Sequence, residues 1–402
     1  MAEAVSLADI AAEIGTPVYV YSRTAFTGAL DSFNSAFKDI PHQLCFAVKT
    51  LDNQSMLKLV AEKGFGADIV SGGELFKSRR AGIEAGKIVF SGVGKTAGEM
   101  REALEAGIMM FNIESQEEMA VLAQVAEAAG KKARVTIRIN PDVDPGTHKY
   151  VATGLKESKF GLAPEAAFEL YQEAAANPNL EPVGVACHIG SQLLTAAPFL
   201  EAAEKLKNLV LKLRECGIEL RYFDMGGGLG IRYSDDTVPP SLSEYAAGIK
   251  AVLKDLPGVS LVVEPGRYIS GNSAVLLIEV LYNKINGEKR FVVTTGAMND
   301  LLRPSLYGSH HDILPLSENK GRKAAVDVVG PICESSDFLA KDRPLPQLKA
   351  GDLLAVMGAG AYGFTMSSNY NSRPKAAEVL VSGDSFRVIR KRETYEDLVR
   401  GE

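Results

Sequence analysis

The chain has 402 residues, of which 46% are hydrophobic and 23% are charged, a composition typical of a globular protein with a large apolar core. Its formal net charge of −6 argues against nucleic-acid binding, which needs a basic surface, and no apolar run is long enough to cross a bilayer. The start, MAEAVSLADIAAEIG, lacks a signal-peptide pattern, and the four cysteines show no metal-ligand spacing. We therefore expect a cytoplasmic protein with reduced thiols, no bound metal and no membrane partner.

Short apolar segments alternate with helical segments from about residue 26 to 270, after one isolated apolar segment at 16–22. Helical periodicity separates the apolar segments, for example at 115–132 and 196–217. Eight strands alternating with helices predict a (β/α)8 barrel of the TIM type, with an open doubly wound sheet as the alternative. No G-x-G-x-x-G follows the first strand, which favours the barrel. The eight predicted strands are 43–49, 66–70, 87–90, 109–113, 133–140, 182–190, 220–226 and 261–264.

After about residue 271 the pattern changes to short apolar strands joined by glycine, asparagine and aspartate turns. This region predicts a separate, C-terminal β-rich domain of sandwich or barrel type. The isolated strand at 16–22 could pair with it and complete it. We therefore expect a barrel domain at 26–270 and a discontinuous β domain built from 1–25 and 271–402.

Polar and glycine-rich residues follow the predicted barrel strands, at the rim where barrel enzymes carry their catalytic residues. Each one alone has an ordinary explanation, because a lysine can close a strand in solvent, a histidine can be a satisfied core residue, and glycines serve turns. Their common position on one rim favours a functional site. They are Lys49, Asp68 to Glu74, Arg138, Asn140, His188 to Gln192, Asp224 to Gly230 and Glu264 to Ile269.

The chemistry of these rim residues fits one cofactor. Three consecutive glycines after strand seven can bring backbone N–H groups close to a phosphate, and Ser191 could add a hydroxyl. Lys49 can form a Schiff base with an aldehyde. His188 could lie flat against an aromatic ring, and Glu264 could face a ring nitrogen. Together they describe pyridoxal 5′-phosphate.

Seven motifs resemble the fold-type III pyridoxal-phosphate decarboxylase family, most closely its diaminopimelate decarboxylases, from about residue 16 to 390. They are FAVKT, HIGSQ, GGGLG, EPGR, LLRPSLYG, CESSD and GAYGFTMSSNYNSRP. The resemblance implies that Lys49 is the Schiff-base lysine and Cys333 the catalytic proton donor. It implies further cofactor contacts from His188, Ser191, Gly227, Gly228, Glu264, Gly266, Arg267 and Tyr362. Substrate contacts are implied for Arg267, Arg303, Tyr307, Glu334 and Tyr362.

The resemblance also implies an activity and an assembly. The expected reaction is decarboxylation of meso-2,6-diaminopimelate to L-lysine and CO₂, the last step of lysine biosynthesis. The expected assembly is a homodimer in which the β domain of one subunit closes the barrel of the other. The alternatives are an ornithine or arginine decarboxylase of the same fold, or an amino-acid racemase. A non-catalytic pyridoxal-phosphate carrier and a cofactor-free aldolase-type barrel are more distant ones.

Overall fold

The computed structural model describes residues 1–144, 158–317 and 321–402. The chain divides into two compact units. The barrel unit comprises Leu30–Ile231 and Val238–Tyr268, and the β unit comprises Met1–Ala29, Arg232–Thr237 and Ile269–Glu402. Within the described ranges, no helix is both long enough and apolar enough to cross a membrane.

The chain begins with helix α1 (Leu7–Ile14), strand β1 (Val18–Ser22) and helix α2 (Arg23–Ala36). Helix α1 starts at Ser6, whose side chain accepts the Asp9 N–H and so satisfies one of the free donors of the first turn. The buried side of α1 and strand β1 share one apolar cluster. The N-terminal segment is therefore tied into the β unit by burial as well as by strand pairing.

Eight parallel strands close into a barrel in the barrel unit. The strands are β2 (His42–Ala47), β3 (Gly66–Ile69), β4 (Ile88–Phe90), β5 (Met110–Ile113), β6 (Ala133–Ile139), β7 (Leu180–Cys187), β8 (Tyr222–Asp224) and β9 (Ser260–Val263). The helices between them are α3 (Gln54–Glu62), α4 (Gly72–Arg80), α5 (Ala97–Ala106), α6 (Gln116–Ala128), α7 (Pro164–Ala176), α8 (Ala197–Glu215) and α9 (Leu242–Leu253). All eight predicted strands are present, with ends that shift by up to three residues.

The first barrel strand ends earlier than the sequence predicts. Strand β2 stops at Ala47, and Lys49 lies in a 3₁₀ turn, Val48–Thr50. The turn forms because the Thr50 hydroxyl donates to the Ala47 carbonyl at 2.8 Å and the Leu51 N–H donates to the Val48 carbonyl at 3.0 Å. Lys49 is therefore on a short, internally bonded turn at the C-terminal rim of the barrel.

The barrel interior is layered by polarity. One buried cluster is apolar and includes Cys45, Val89, Met110, Val183 and Val262. Several buried polar side chains come from the C-terminal halves of the strands and the turns after them, among them Asp68, Asn112, Arg138, Asp224 and Glu264. This is the arrangement of a barrel whose chemistry lies at its C-terminal face.

The β unit contains a nine-stranded mixed sheet. Its remaining elements are α10 (Arg267–Ser270, which begins in the barrel unit), β10 (Ala274–Asn286), β11 (Lys289–Thr294), α11 (Arg303–Tyr307), β12 (Ile313–Pro315), β13 (Ala324–Val329), β14 (Phe338–Leu345), β15 (Leu353–Val356), β16 (Ala377–Ser382), β17 (Ser385–Arg390) and α12 (Tyr395–Leu398). Strand β1 pairs antiparallel with β10 and parallel with β16, so it lies inside the sheet. The predicted fold class, a barrel with a β-rich domain completed by the N-terminal strand, is confirmed.

The close packing of β7 against its neighbours generates a stability prediction. A Cβ atom at Gly184 would lie 2.7 Å from the Tyr222 carbonyl oxygen and 2.8 Å from the Tyr222 Cβ. We expect Gly184→Ala to destabilise the barrel unit by about 1–3 kcal/mol, because backbone must move to admit the methyl group. The measurement is the urea midpoint of unfolding, followed by circular dichroism.

The matched control is Gly98→Ala in α5 of the same unit. There the nearest heavy atom to a new Cβ is Thr96 Oγ1 at 4.0 Å, and alanine favours a helix over glycine by up to about 1 kcal/mol. Its midpoint should stay the same or rise. Equal losses in both variants would contradict this account of the β7 packing.

Candidate active site

Lys49 is paired with a buried carboxylate. Its Nζ lies 2.8 Å from Asp68 Oδ2, and the Asp68 side chain is 0% exposed whereas that of Lys49 is 32% exposed. Asp68 lies on β3, opposite Ala47 in the parallel register with β2. The other Asp68 oxygen, Oδ1, is buried and has no hydrogen-bond partner among the described atoms. Lys49 is thus held at the barrel mouth by the neighbouring strand, which differs from a lysine that closes a strand in solvent.

His188 presents a neutral ring at the same rim. Its Nδ1 accepts the Gly227 N–H at 3.1 Å, which leaves the proton on Nε2. Burial, together with the positive charges of Arg138 and Lys49, lowers the pKa of His188 well below its ordinary value of 6.5. A neutral imidazole held at one edge offers a flat face to a ligand ring rather than a positive charge.

The glycine turn after β8 and the turn after β9 approach other backbone too closely for side chains. A Cβ at Gly228, whose φ is +117°, would lie 2.3 Å from the Gly190 carbonyl oxygen. A Cβ at Gly266 would lie 2.4 Å from Thr50 Cγ2. The N–H of Gly227 donates to His188, so in this structure that glycine orients the ring. The glycines therefore serve the close packing of the rim as well as any approach to an anion.

Arg267 and Ser191 form a second polar contact at the rim. Arg267 Nε and Nη2 donate to Ser191 Oγ at 3.1 Å and 2.9 Å, and Arg267 is buried. Because the hydroxyl oxygen accepts from the guanidinium, its own proton can point elsewhere and donate to an anion. A guanidinium and a hydroxyl held together in this way suit a phosphate or a carboxylate.

Glu264 follows β9 and is also buried. Burial raises its pKa well above the ordinary value of 4.5, and the charges of Asp224 and Asp68 raise it further, whereas the charge of Lys49 lowers it. The charge of Lys49 thus acts on both Glu264 and His188. The structure therefore brings together the predicted barrel residues Lys49, His188, Gly227, Glu264, and the Arg267–Ser191 pair on one rim.

Arg138, a predicted rim residue to which no cofactor or substrate contact was assigned, supports the backbone that carries His188. Its Nη1 donates to Glu114 Oε1 at 2.7 Å, and its Nη2 donates to the His188 carbonyl at 3.3 Å. Glu114 also accepts the Gly161 N–H at 2.8 Å. The guanidinium lies over the Phe160 ring at 4.7 Å. This buried ion pair fixes the backbone that carries His188.

In the β unit, the predicted residue Arg303 is buried and contacts two other side chains, His311 and Tyr233. Arg303 is 4% exposed, and its Nη1 donates to His311 Nε2 at 2.9 Å. His311 Nδ1 lies 2.8 Å from the Met357 carbonyl, so Nδ1 carries the proton and Nε2 accepts. The Tyr233 ring lies 4.7 Å from the guanidinium carbon. His311 and Tyr233 were not predicted, because neither has a motif of its own and only the fold places them beside Arg303.

The other predicted residues of the β unit lie on loops and short turns. Cys333 is exposed, and its N–H donates to Asn371 Oδ1 at 2.7 Å. Glu334 Oε2 accepts from the Tyr370 hydroxyl at 3.2 Å. Tyr362 has a φ of +55°, a backbone conformation uncommon for a residue with a side chain. Tyr307 ends α11 and is half-buried.

The segments that carry Arg303 and Cys333 are linked within the β unit. The Ser305 hydroxyl of α11 donates to the Ser336 carbonyl at 2.6 Å. The Asp337 carboxylate accepts from the Ile332 N–H and the Met298 N–H, each at 2.8 Å. Asp337 therefore shapes the loop of Cys333, which gives the last residue of CESSD a structural role.

Comparison with known proteins identifies relatives of the whole chain. The family model described as the pyridoxal-binding domain of pyridoxal-dependent decarboxylases matches residues 24–271. A diaminopimelate decarboxylase of Pseudomonas fluorescens is 51% identical over 404 residues, which cover 100% of this chain and 96% of the relative. One from Aquifex aeolicus (strain VF5) is 46% identical over 397 residues, or 99% and 94% of the two chains.

Solved structures with the same fold include the diaminopimelate decarboxylase of Helicobacter pylori complexed with L-lysine. It is 44% identical, superposes with a TM-score of 0.95 and covers 98% of each chain. The diaminopimelate decarboxylase from m. jannaschii, in co-complex with L-lysine, is 37% identical, superposes with a TM-score of 0.93, and covers 97% of this chain and 93% of its own. The similarity extends over both units.

The environment of His188 predicts a ring that stays neutral in mild acid. In protein labelled with ¹⁵N-histidine, we expect the two ring nitrogens of His188 to keep neutral-form chemical shifts from about pH 8 to about pH 5.5. The reason is that protonation would place a charge in a buried site near Arg138 and Lys49. The signal is assigned by its loss in His188→Asn. A titration midpoint at or above the ordinary value of 6.5 would contradict the assignment.

Proposed function

The chain belongs to the pyridoxal-dependent decarboxylase family and, within it, to the diaminopimelate decarboxylases; on that premise we propose that it converts meso-diaminopimelate to L-lysine and CO₂ with pyridoxal 5′-phosphate as cofactor. The observation that carries this proposal is the similarity to diaminopimelate decarboxylases over both units. It therefore includes the barrel rim with Lys49 as well as the β unit with Arg303. The reaction is that of a carboxy-lyase.

The residues of the barrel rim fit this cofactor. Lys49 supplies a primary amine at the mouth, His188 supplies a neutral flat ring, and Glu264 supplies a buried acid. Asp68 Oδ1 is a buried oxygen without a partner among the described atoms, the kind of atom that a polar ligand group satisfies. The donor set thus matches an aldehyde-bearing, nitrogen-containing aromatic ring.

When bound, pyridoxal 5′-phosphate supplies an aldehyde that bonds an amine and a ring that accepts the electron pair left by CO₂. In our proposal Lys49 holds the aldehyde end, His188 covers one face of the ring, and Glu264 faces the ring nitrogen. The phosphate end is held by five residues: Ser191, Gly228, Gly266, Arg267 and Tyr362, with Gly227 orienting His188. Asp68 holds the Lys49 amine between turnovers.

The β unit would supply the proton and the substrate contacts. We propose that the Cys333 Sγ–H gives its proton to the carbon that has lost CO₂, and a thiol suits this role as a general acid. Arg303 suits the distant carboxylate of the substrate because guanidinium binds carboxylates through two parallel hydrogen bonds. Glu334 suits the distant ammonium, and Tyr307, Tyr362 and Arg267 complete the set.

The proposed assembly is a homodimer with shared active sites. The amine of Lys49 lies in the barrel unit, and the thiol of Cys333 lies in the β unit, so the roles that we propose for them require a contribution from each unit. We propose that the β unit of a second copy makes it. The four free thiols agree with a reducing compartment, and we place the enzyme in the cytoplasm.

A comparison of four amino acids as substrates tests the proposed function directly. Purified protein with pyridoxal 5′-phosphate should release CO₂ from meso-diaminopimelate and not from lysine, ornithine or arginine. A site built for a distant carboxylate leaves a buried guanidinium without its ligand when that group is missing, and such sites discriminate by about 10⁴–10⁵ in kcat/KM. The measurement is CO₂ release under equal conditions. Ornithine or arginine turnover at a comparable rate would assign the chain to the alternative decarboxylases.

Replacement of Cys333 by alanine tests the proton donor. We expect kcat to fall by about 10²–10⁴-fold, the usual contribution of a general acid. Cofactor binding should persist, which is checked by borohydride reduction and recovery of the label on the Lys49 peptide. Cys216→Ala is the matched control, because Cys216 is also an exposed free cysteine but lies in the barrel unit after α8. Equal activity of both variants would show that another group donates the proton.

A further inference from the structure

Two carboxyl side chains are hydrogen-bonded to each other beneath the barrel mouth. Asp224 ends β8 and is 0% exposed, and Glu264 follows β9 and is 6% exposed. The two strands are neighbours in the barrel, with Asp224 opposite Val262. The Asp224 and Glu264 side chains hydrogen-bond to each other. Because two ionised carboxylates have no proton to share, this pair holds at least one proton.

Asp224 is fixed in place by neutral donors. Its Oδ1 accepts the Gly226 N–H at 2.8 Å, and its Oδ2 accepts from Asn112 Nδ2 at 3.3 Å. The Asn112 amide cannot turn over without losing contacts, because its Oδ1 accepts from the Thr136 hydroxyl and its Nδ2 also donates to Ser91 Oγ at 3.0 Å. Asn112 Nδ2 further lies 3.5 Å from Glu264 Oε1. One amide therefore bridges both carboxyl groups.

Burial and the neighbouring Asp224 carboxylate favour the protonated form of Glu264. Burial raises the pKa of Asp224 to about 6, and hydrogen bonds from Glu264, Gly226 and Asn112 oppose that rise. Burial and the charge of Asp224 raise the pKa of Glu264 well above its ordinary value. Near neutral pH the pair thus carries one proton and one negative charge, and the two groups titrate as a unit.

Other ionisable groups face the pair. The charged ones are the Asp68 carboxylate on β3 and the Lys49 ammonium after β2. The charge of Asp224 also raises the pKa of Cys45, Cys187 and Tyr245, which burial keeps neutral. Of the groups named here, Asp224 alone is a proton acceptor hydrogen-bonded to Glu264.

We propose that Asp224 is a positioning residue that takes the proton from Glu264 when the protonated ring nitrogen of the cofactor binds, so that Glu264 faces the ring as an anion. The Glu264 O–H bond breaks and leaves its electron pair on the glutamate oxygen, while an O–H bond forms on Asp224. The proton stays inside the barrel, and none is released to solvent. The inference rests on the proposed function, because it concerns the binding of pyridoxal 5′-phosphate.

The barrel geometry explains why such a residue is useful. Glu264 must lose its proton to pair with a cationic ring nitrogen, yet it lies in a buried site where ionisation is costly. Asp224 lies within one hydrogen bond and already has its anionic form supported by a backbone N–H and an amide. Moving the proton between the two carboxyl groups keeps the number of charges on the pair at one.

The test compares pyridoxal 5′-phosphate affinity of the full-length wild type and Asp224→Asn across pH. An asparagine can donate to Glu264 but cannot take its proton, so the variant must release one proton to solvent when the cofactor binds. The ratio of the variant's Kd to the wild-type Kd should therefore rise by about tenfold for each pH unit as the pH falls from about 8 to about 7, a range that lies above the Asp224 pKa of about 6. A merely structural role would weaken binding by the same factor at every pH, and a constant ratio would overturn the proposal.

Asp300→Asn is the matched control. Asp300 is 1% exposed in the β unit, and burial raises its pKa to about 7, so it is a buried titrating carboxyl that is not part of the pair. Its Kd ratio should not depend on pH. A wild type that fails to bind pyridoxal 5′-phosphate on Lys49 would instead refute the proposed function, and that outcome is separate from a flat ratio.

Infrared difference spectroscopy of the wild type gives a second readout if Asp224→Asn does not fold. With ¹³C-carboxyl-labelled aspartate, cofactor binding should produce a new protonated-carboxyl band that carries the isotope shift. At the same time an unlabelled protonated-carboxyl band should disappear. Loss of the unlabelled band without a labelled one would mean that the proton leaves the pair, and it would overturn the proposal.

Discussion

The closure of eight parallel strands into one barrel is the constraint on which the rest of this structure depends. Closure puts the C-terminal ends of all strands in a single ring, so the polar residues that follow them meet in one small region, where several are buried. A buried charge is tolerated when a partner compensates it. The ring accordingly contains the ion pairs Lys49 with Asp68 and Arg138 with Glu114, and a third pair, Asp224 with Glu264, in which the pKa of both carboxyl groups is raised so that the protonated form is favoured.

Each of these pairs joins residues from two different strands or from the turns that follow them. The fold therefore sets the position of each side chain through a contact from a neighbouring strand. Asp68 on β3 positions an amine that belongs to the turn after β2. Arg138 on β6 supports the backbone of His188 after β7. A predicted site residue is therefore oriented by a neighbour from another strand, and nearby charges act on its pKa. Loss of a partner would leave an uncompensated charge as well as a missing contact.

The β unit differs from the barrel in its chain connectivity, because its sheet combines a strand from the N-terminal segment with strands from the C-terminal half of the chain. Strand β1 lies between β10 and β16, so the N-terminal residues are part of the sheet interior. Within this unit, Arg303 is oriented by His311, which comes from the loop after α11, and by Tyr233, which comes from the short segment at 232–237. Contacts between residues far apart in sequence leave no local sequence pattern. For that reason His311 and Tyr233 could not be recognised as partners of Arg303 before the fold was known.

The sequence by itself determined the eight barrel strands, the β-rich region, the N-terminal strand and the rim positions of residues such as Lys49 and Glu264. It could do so because hydrophobic periodicity and strand-end position are local properties of the chain. It did not show that β2 ends at Ala47, because a hydroxyl contact from Thr50 decides it. Only the tertiary structure decided which charges are paired, which histidine ring has a lowered pKa and which two carboxyl groups are neighbours in the barrel. Those properties depend on burial and on distances between strands far apart in sequence.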